Sequence, residues 1–363
     1  MPPLVCHRLG RVEYEDGLTL MRRFVEARAT GQVNDTLFLL EHPPVLTLGR
    51  GGKRQNVLAS EEVLARERVE LFETDRGGDV TYHGPGQLVG YPVLHLPPHR
   101  QDVRRYVRDI EEALIRALAR FGVLGVRAPQ WPGVWVETSG GLAKVAAIGV
   151  HLSRWYTRHG FALNVNTQLS HFELIVPCGI HEAGVTSMQR LLGQEVSLAD
   201  VERAVAESFA HLFGAQLSFA PRPTPTVSVT VVRPGPQVLL LQRTQARGGF
   251  WQTVTGRVKE GEAPIEAAAR ELFEETGARA KVRDLGYRHA FAWGDESPPH
   301  LLEEHAFATQ WPQGAPVRLD VGEHQTFEWV DVGEATRRLP FKGLRRAVSL
   351  SLWERDGVRG VNS

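Results

Sequence analysis

GRVKEGEAPIEAAARELFEETGA, residues 256–278, reads as a loop feeding a helix, and it decides what the last third of the chain can be. Pro264 suits a first helical turn, where its missing N–H is not needed, and Gly277 supplies a stop. Between them Ile265, Ala268, Ala269 and Leu272 keep the i, i+3, i+4, i+7 rhythm of a helix with one buried face. Glu271, Glu274 and Glu275 stand at i, i+3 and i+4, so they share a face beside that stripe. Like charges at this spacing cost roughly 0.2 to 0.5 kcal/mol per pair, so counter-charge is expected. Arg270 can pair with Glu266 or Glu274, and a hard divalent cation with oxygen ligands suits the rest, with Glu262 in the loop as a fourth carboxylate.

Outward from this helix the sequence reads as strands. VSVTVV (227–232) and QVLLLQR (237–243) form an expected pair joined through Pro234-Gly235-Pro236, and HAFATQW (305–311) and HQTFEWVD (324–331) alternate as further strands. GLRRAVSLSLWER (343–355) reads as a closing helix. Upstream, SFAPRPTPT (218–226) carries three prolines and reads as a stiff linker. Before it, TLFLLEH (36–42) and VLTLG (45–49) read as strands around Pro43-Pro44, and YVRDIEEALIRALARFGV (106–123) as an amphipathic helix. A chain of 363 residues is thus expected to form two mixed α/β units, residues 1–217 and 227–363, around a 218–226 linker.

Lys+Arg and Asp+Glu balance at 42 each, so no basic surplus points to nucleic acid or an anionic membrane as partner. No stretch approaches a membrane span, and MPPLVCHRLG lacks the apolar core of a signal peptide, so a cytoplasmic protein is expected. The two cysteines, Cys6 and Cys178, make neither a disulfide framework nor a CxxC metal pattern.

The densest stretch of the first unit is RGGDVTYHGPGQLVGYPVL, residues 76–94. Its glycines Gly77, Gly78, Gly84 and Gly86 let backbone approach a ligand, with Arg76 and His83 as polar anchors. In GGLAKVAAIGVHL (140–152), Lys144 stands alone in a small apolar run, where partial desolvation would lower its pKa and fit it for acid–base work. In LIVPCGIHEAGVTSM (174–188), Cys178 follows a strand-like run and precedes a glycine.

RGGDVTYHGPGQL, the Lys144 segment, HGFALNV (159–165) and IVPCGI, in that order, resemble the lipoyl(octanoyl) transferase family over residues 1–217. The resemblance implies a biotin/lipoate-ligase-like mixed sheet with helices. It also implies transfer of octanoyl from octanoyl-acyl carrier protein to a lysine of the lipoyl domains of 2-oxoacid dehydrogenases or of the glycine-cleavage H protein. Cys178 matches the acyl-thioester nucleophile and Lys144 the lysine that lowers its pKa. Substrate contacts map onto Arg76, Gly77, Gly78, Asp79, Val80, Thr81, Tyr82 and His83, onto Ala147, Ile148 and Gly149, and onto Gly160, Phe161 and Ala162. His151 stands where arginine is more usual, which touches a peripheral contact. The acceptor lysine must lose a proton, for which Lys144 is the first candidate and His83 the second. An ATP-dependent lipoate or biotin ligase is the alternative, and it needs no acyl-cysteine.

The spacing of Gly256, Glu262, Arg270-Glu271-Leu272, Glu274-Glu275 and Gly277-Ala278 resembles the Nudix box at every fixed position. It implies an α/β/α sandwich and Mg²⁺-dependent (or Mn²⁺-dependent) cleavage of a pyrophosphate, with Glu271, Glu274 and Glu275 as metal ligands and Glu271 and Glu275 in the catalytic set. GFWQTVTG (249–256) and GEHQTFEWVD (322–331) resemble the subgroup acting on dihydroneopterin triphosphate or nucleoside triphosphates. Phe250, Trp251 or Trp293 could stack on a pterin or purine, and Glu304 and Glu323 are candidate bases or further ligands. The alternative for this half is a nucleotide-binding regulatory module without turnover.

Overall fold

The structure, a computed structural model of the chain, describes residues 1–176 and 184–353. Cys178 lies outside the described residues. Two compact units result: Met1–Arg222 with Phe291–His300, and Pro223–Ala290 with the chain from Leu301 onward. No helix among the described residues is long and apolar enough to cross a membrane.

In the first unit the chain runs through β1 (Pro3–Arg11), α1 (Tyr14–Ala29), β2 (Asp35–Glu41), β3 (Val45–Leu48), α2 (Glu61–Glu67), β4 (Glu70–Glu73), β5 (Val80–His83) and β6 (Gln87–Val93). It continues through α3 (Val103–Ala119), β7 (Val126–Ala128), β8 (Trp131–Thr138), β9 (Gly141–Ser153), β10 (Tyr156–Asn164), β11 (Gly184–Val185), α4 (Met188–Leu192), α5 (Leu198–Phe213) and β12 (Gln216–Phe219). One mixed sheet has the order β12-β1-β2-β6-β10-β9-β8-β7, with β11 added in parallel to β9, and a small second sheet has the order β4-β3-β5. Helix α3 begins where Asp102 caps the amides of Arg104 and Arg105 at 2.8 and 3.0 Å. Its buried face, Tyr106, Ile110, Ala113, Leu114, Ala117 and Leu118, joins Val201, Val205 and Phe209 of α5 over Val134, Val145, Phe161 and Leu163 of the sheet. Apolar residues at helical spacing on α3 and at alternate positions on the strands bury into one core.

The second unit contains β13 (Thr224–Arg233), β14 (Gln237–Arg243), β15 (Trp251–Gln252), β16 (Val254–Arg257), α6 (Pro264–Thr276), β17 (Arg283–Trp293) as far as Ala290, β18 (His300–Gln310) from Leu301, β19 (His324–Asp331), α7 (Val332–Arg338) and α8 (Lys342–Trp353). Its sheet order is β15-β14-β13-β18-β17, with β16 on β13 and β19 on β14. Strand alternation sorts the two faces. Val227, Val229, Val231, Leu239 and Leu241 meet α6, whereas Val238 and Leu240 meet Ala335, Leu339, Leu344 and Val348 of the α7–α8 side. The result is the expected α/β/α sandwich.

Two local readings change. Strands claim most of the proline-rich stretch: β12 reaches Phe219 and β13 starts at Thr224, leaving only Ala220–Pro223 between them. Pro225 is tolerated because it sits near the strand start, where its carbonyl accepts from Val258 N at 3.2 Å and its missing N–H is not needed. On α6 the buried positions are Ala267, Ala268, Leu272, Glu275 and Thr276, while Ile265 is 46% exposed and Ala269 is exposed. The helix is therefore rolled so that Glu275 lies on its buried face and not beside it.

Candidate active sites

In the first unit three separated segments meet at one cavity. Arg76, Gly78, Asp79, Thr81 and His83 approach from β5 and the loop before it, Ala147 to Gly149 from β9, and Gly160 to Ala162 from β10. The structure does not put Gly77, Val80 or Tyr82 on this lining. Alternation along β5 turns Val80 and Tyr82 into the core of the small sheet, and the Gly77 amide is spent on Val150 O at 2.9 Å. Gly160 is required by close approach, since a Cβ there would lie 2.3 Å from Gly90 O on the neighbouring strand. Tyr14, Val89, Tyr91 and His159 complete the lining and were not singled out from the sequence. Only His159, in HGFALNV, carried a local signal.

Arg76 is buried and anchored to β3, donating from Nη2 to Thr47 O at 2.6 Å and to Thr47 Oγ1 at 2.8 Å. Behind the cavity Asp75 gathers three cations or potential cations. His159 Nε2 lies 2.7 Å from Oδ1, Arg158 Nη2 lies 2.5 Å from Oδ2, and His151 Nδ1 lies 3.0 Å from the Asp75 carbonyl. His151 is thus a neighbour of this cluster. Burial lowers the His159 pKa to about 4 against the opposing pull of Asp75. Burial would raise Asp75, but the hydrogen bond from His159 and the charges of His159 and Arg158 carry it below the usual range.

Lys144 sits buried on β9 with its Nζ 4.6 Å from the Trp135 ring centroid, a cation–π arrangement. It lines a second, smaller cavity with Gln87, Asn164, Phe172 and Val185, and Thr81, Ala147 and Ala162 line both cavities. Val185 of β11 is the register partner of Lys144, and Gly184 is the first described residue after the segment that holds Cys178. The other cysteine, Cys6, is core: burial pushes its thiol up to about 12. His83 is buried, and burial, then the charges of His42 and Arg76, hold its pKa well below the ordinary value.

In the second unit Arg270 organises the carboxylates. Its Nε lies 2.8 Å from Glu262, and its Nη1 lies 2.6 Å from Glu271 and 2.9 Å from Glu274. Gly256 leaves the space into which Glu271 turns, because a Cβ there would lie 1.9 Å from the Glu271 carboxyl carbon. Glu275 differs from the others. It is 3% exposed, and neither of its oxygens forms a hydrogen bond of normal geometry. Burial, then the charges of Glu271 and Glu323, raise its pKa well above the ordinary value, weakly opposed by the Thr255 amide and Arg243. His324 Nε2 lies 3.8 Å from Glu275 Oε2.

Among the described residues no three His, Cys, Asp or Glu side chains converge as a ready-made cation cage. The donor set nevertheless fits a hard cation: an unsatisfied buried carboxylate, Glu275, stands one turn from Glu271, and both are acceptor-only oxygen ligands. Glu323 lies within electrostatic reach of Glu271 and Glu275 and is held by Arg243 and Arg247 at 3.6 and 3.1 Å. Glu304 is buried on β18, opposite Thr226 in register. The aromatic candidates have protein partners: Arg338 stacks 3.9 Å over Trp251, Phe250 meets Phe341 edge-on at 5.2 Å, and Trp293 packs with Phe291.

Residues 13–210 match the lipoyl protein ligase A/B catalytic domain and residues 222–350 the NUDIX domain. The chain is similar to an octanoyltransferase of Myxococcus xanthus, 58% identical over 353 residues that make up 96% of this chain and 99% of that protein. A solved bipartite lipoate protein ligase from Thermoplasma acidophilum aligns with 61% of this chain and 88% of its own, at 16% identity and a TM-score of 0.48. The dihydroneopterin triphosphate pyrophosphohydrolase of E. coli aligns with 36% of this chain and 95% of its own, at 24% identity and a TM-score of 0.33.

Proposed function

Because this chain belongs to the octanoyltransferase family and carries a NUDIX hydrolase domain, we propose that it moves octanoyl from octanoyl-acyl carrier protein onto Cys178 and then onto a lysine of a lipoyl domain. The acceptors are the lipoyl domains of 2-oxoacid dehydrogenases and the glycine-cleavage H protein. We assign this activity to residues 1–217. The observation that supports it most is the buried Lys144 ammonium on the strand beside β11, which follows directly on the Cys178 segment. A neighbouring ammonium favours the thiolate, which is the reactive form of cysteine.

In the first step the Cys178 thiolate bonds to the thioester carbonyl carbon, the bond to the carrier sulfur breaks, and the carrier leaves as its thiol with a proton from the Lys144 ammonium, which becomes a neutral amine. In the second, the lysine amine forms the amide bond, the Cys178–acyl bond breaks, and the amine proton passes to Lys144 or His83. The octanoyl chain would lie against Val89, Ile148, Phe161 and Ala162, each buried methylene contributing about 0.8 kcal/mol. Incubation of the full chain with octanoyl-carrier protein in the absence of ATP should add one octanoyl group on Cys178 by intact mass. No adduct without ATP favours the ligase chemistry instead.

For residues 227–363 we propose hydrolysis of a pyrophosphate in a nucleoside triphosphate-like or dihydroneopterin triphosphate-like compound. Glu271, Glu274 and Glu275 would hold Mg²⁺ or Mn²⁺, with Glu323 or Glu304 as the candidate base. A cation bound there supplies charge neutralisation for the pyrophosphate and activation of water. The hold of Arg270 on Glu262, Glu271 and Glu274 favours a second reading, a nucleotide-binding module with a locked site. Pyrophosphate release from a panel of such compounds with Mg²⁺, beside Glu275→Gln, separates the two: no Mg²⁺-dependent turnover on any compound supports the module.

A further inference from the structure

A buried hydrogen-bond chain runs from His83 to the backbone of Lys144, and its polarity is set at both ends. Thr186 N donates to Lys144 O at 3.0 Å, and Asn164 Nδ2 donates to Thr186 O at 3.0 Å, so Asn164 Oδ1 is an acceptor. Gln87 Nε2 donates to that Oδ1 at 2.9 Å and to Tyr82 O at 3.1 Å, and both partners can only accept. The Gln87 amide therefore cannot be flipped, and Gln87 Oε1 faces His83 Nδ1 at 2.8 Å as an acceptor. The proton of neutral His83 must reside on Nδ1.

Nε2 is then the bare nitrogen. Thr47 Oγ1, a hydroxyl that already accepts from Arg76, approaches it loosely at 3.4 Å. His83 lines the cavity at which Ala147, Phe161 and Ala162 converge. Gln87 and Asn164 are 1% and 3% exposed, so water does not compete for these bonds.

We infer that Gln87 is a positioning residue for acyl transfer: it fixes His83 as the Nδ1–H tautomer and leaves Nε2 to accept a proton from the incoming lysine amine. The inference rests on the transferase reading above. As the amine nitrogen bonds to the acyl carbon it becomes an ammonium, a far stronger acid than a free lysine, and Nε2 takes that proton while the Cys178 sulfur departs. A His83 protonated on Nε2 would donate its N–H to the amine, occupy the lone pair that must attack, and offer no acceptor for the amine proton.

The test has two readouts. Long-range ¹H–¹⁵N correlation of the histidine-labelled full chain, with His83 assigned by its loss in His83→Gln, should show pyrrole-like Nδ1 and pyridine-like Nε2. In single-turnover assays Gln87→Leu should slow transfer from pre-formed octanoyl-Cys178 to a lipoyl domain by about 10- to 100-fold while changing acylation by less than about 2-fold. A wild type that forms no acyl-Cys178 refutes the transferase reading and with it lysine as the partner of Nε2. A wild type that transfers the acyl group with His83 protonated on Nε2 overturns the inference alone, as does a folded Gln87→Leu that transfers at the wild-type rate or slows both half-reactions equally.

Discussion

The two units bury polar groups in opposite ways. Around His83, each amide of Gln87 and Asn164 has its partners, and the chain of bonds ends in backbone carbonyls. Around Glu275 a carboxylate lies in the interior with neither oxygen satisfied, and its charged neighbours Glu271 and Glu323 make matters worse. The first arrangement is complete with protein groups alone and is therefore preorganised for a substrate that brings its own reactive carbon. The second is costly until something positive arrives. On the proposed reading, a site that the chain finishes by itself and one that takes up a cation sit in a single polypeptide.

Lys144→Met should reduce acylation of Cys178 by about 10²- to 10³-fold near neutral pH, with partial recovery at higher pH as the unassisted thiol ionises. Equal rates across that range would remove the charged partner from the first site. Mg²⁺ at about one hundred times its dissociation constant should stabilise the NUDIX unit by about 2.7 kcal/mol, read as a rise in melting temperature, and Glu275→Gln should abolish the rise. A full shift in Glu275→Gln would mean that Glu275 is not waiting for a cation.

His159 tests the first site from its acid side. Its folded pKa, about 4, lies below the ordinary value of 6.5, so the unfolded chain binds more protons between these limits. Its contribution is present above pH 6.5 and is lost as the pH falls towards 4. His159→Asn, which tolerates the positive φ of 56° there, should flatten that acid loss by about 2 kcal/mol in denaturant titrations at pH 7 and pH 4.5. Helix caps give the smallest contrast. Asp102→Ala should cost about 1 kcal/mol because a side-chain cap is lost. Ala263→Asp should add up to about 1 kcal/mol at α6, whose N-cap residue Ala263 has no side-chain acceptor.

What was legible in the sequence was what acts locally. The 264–277 helix, the strands on either side and the isolation of Lys144 in an apolar run all follow from spacing along the chain. What escaped depends on distance. Gln87 and Asn164 are separated by 77 residues, and Asp75 and His159 by 84, so nothing in either neighbourhood announces the other. The roll of α6 escaped for a related reason: Gly256 admits Glu271 at β16, a contact absent from any periodicity, on a helix whose Glu275 lies inward.

Gly256 also offers a tool. A single methyl group at that position would meet the Glu271 carboxyl group head-on while leaving every charge in the chain unaltered. Gly256→Ala is thus a charge-neutral wedge for cells: a strain carrying it should keep its lipoylated proteins while losing whatever the NUDIX half hydrolyses, so each phenotype can be traced to one half of the gene.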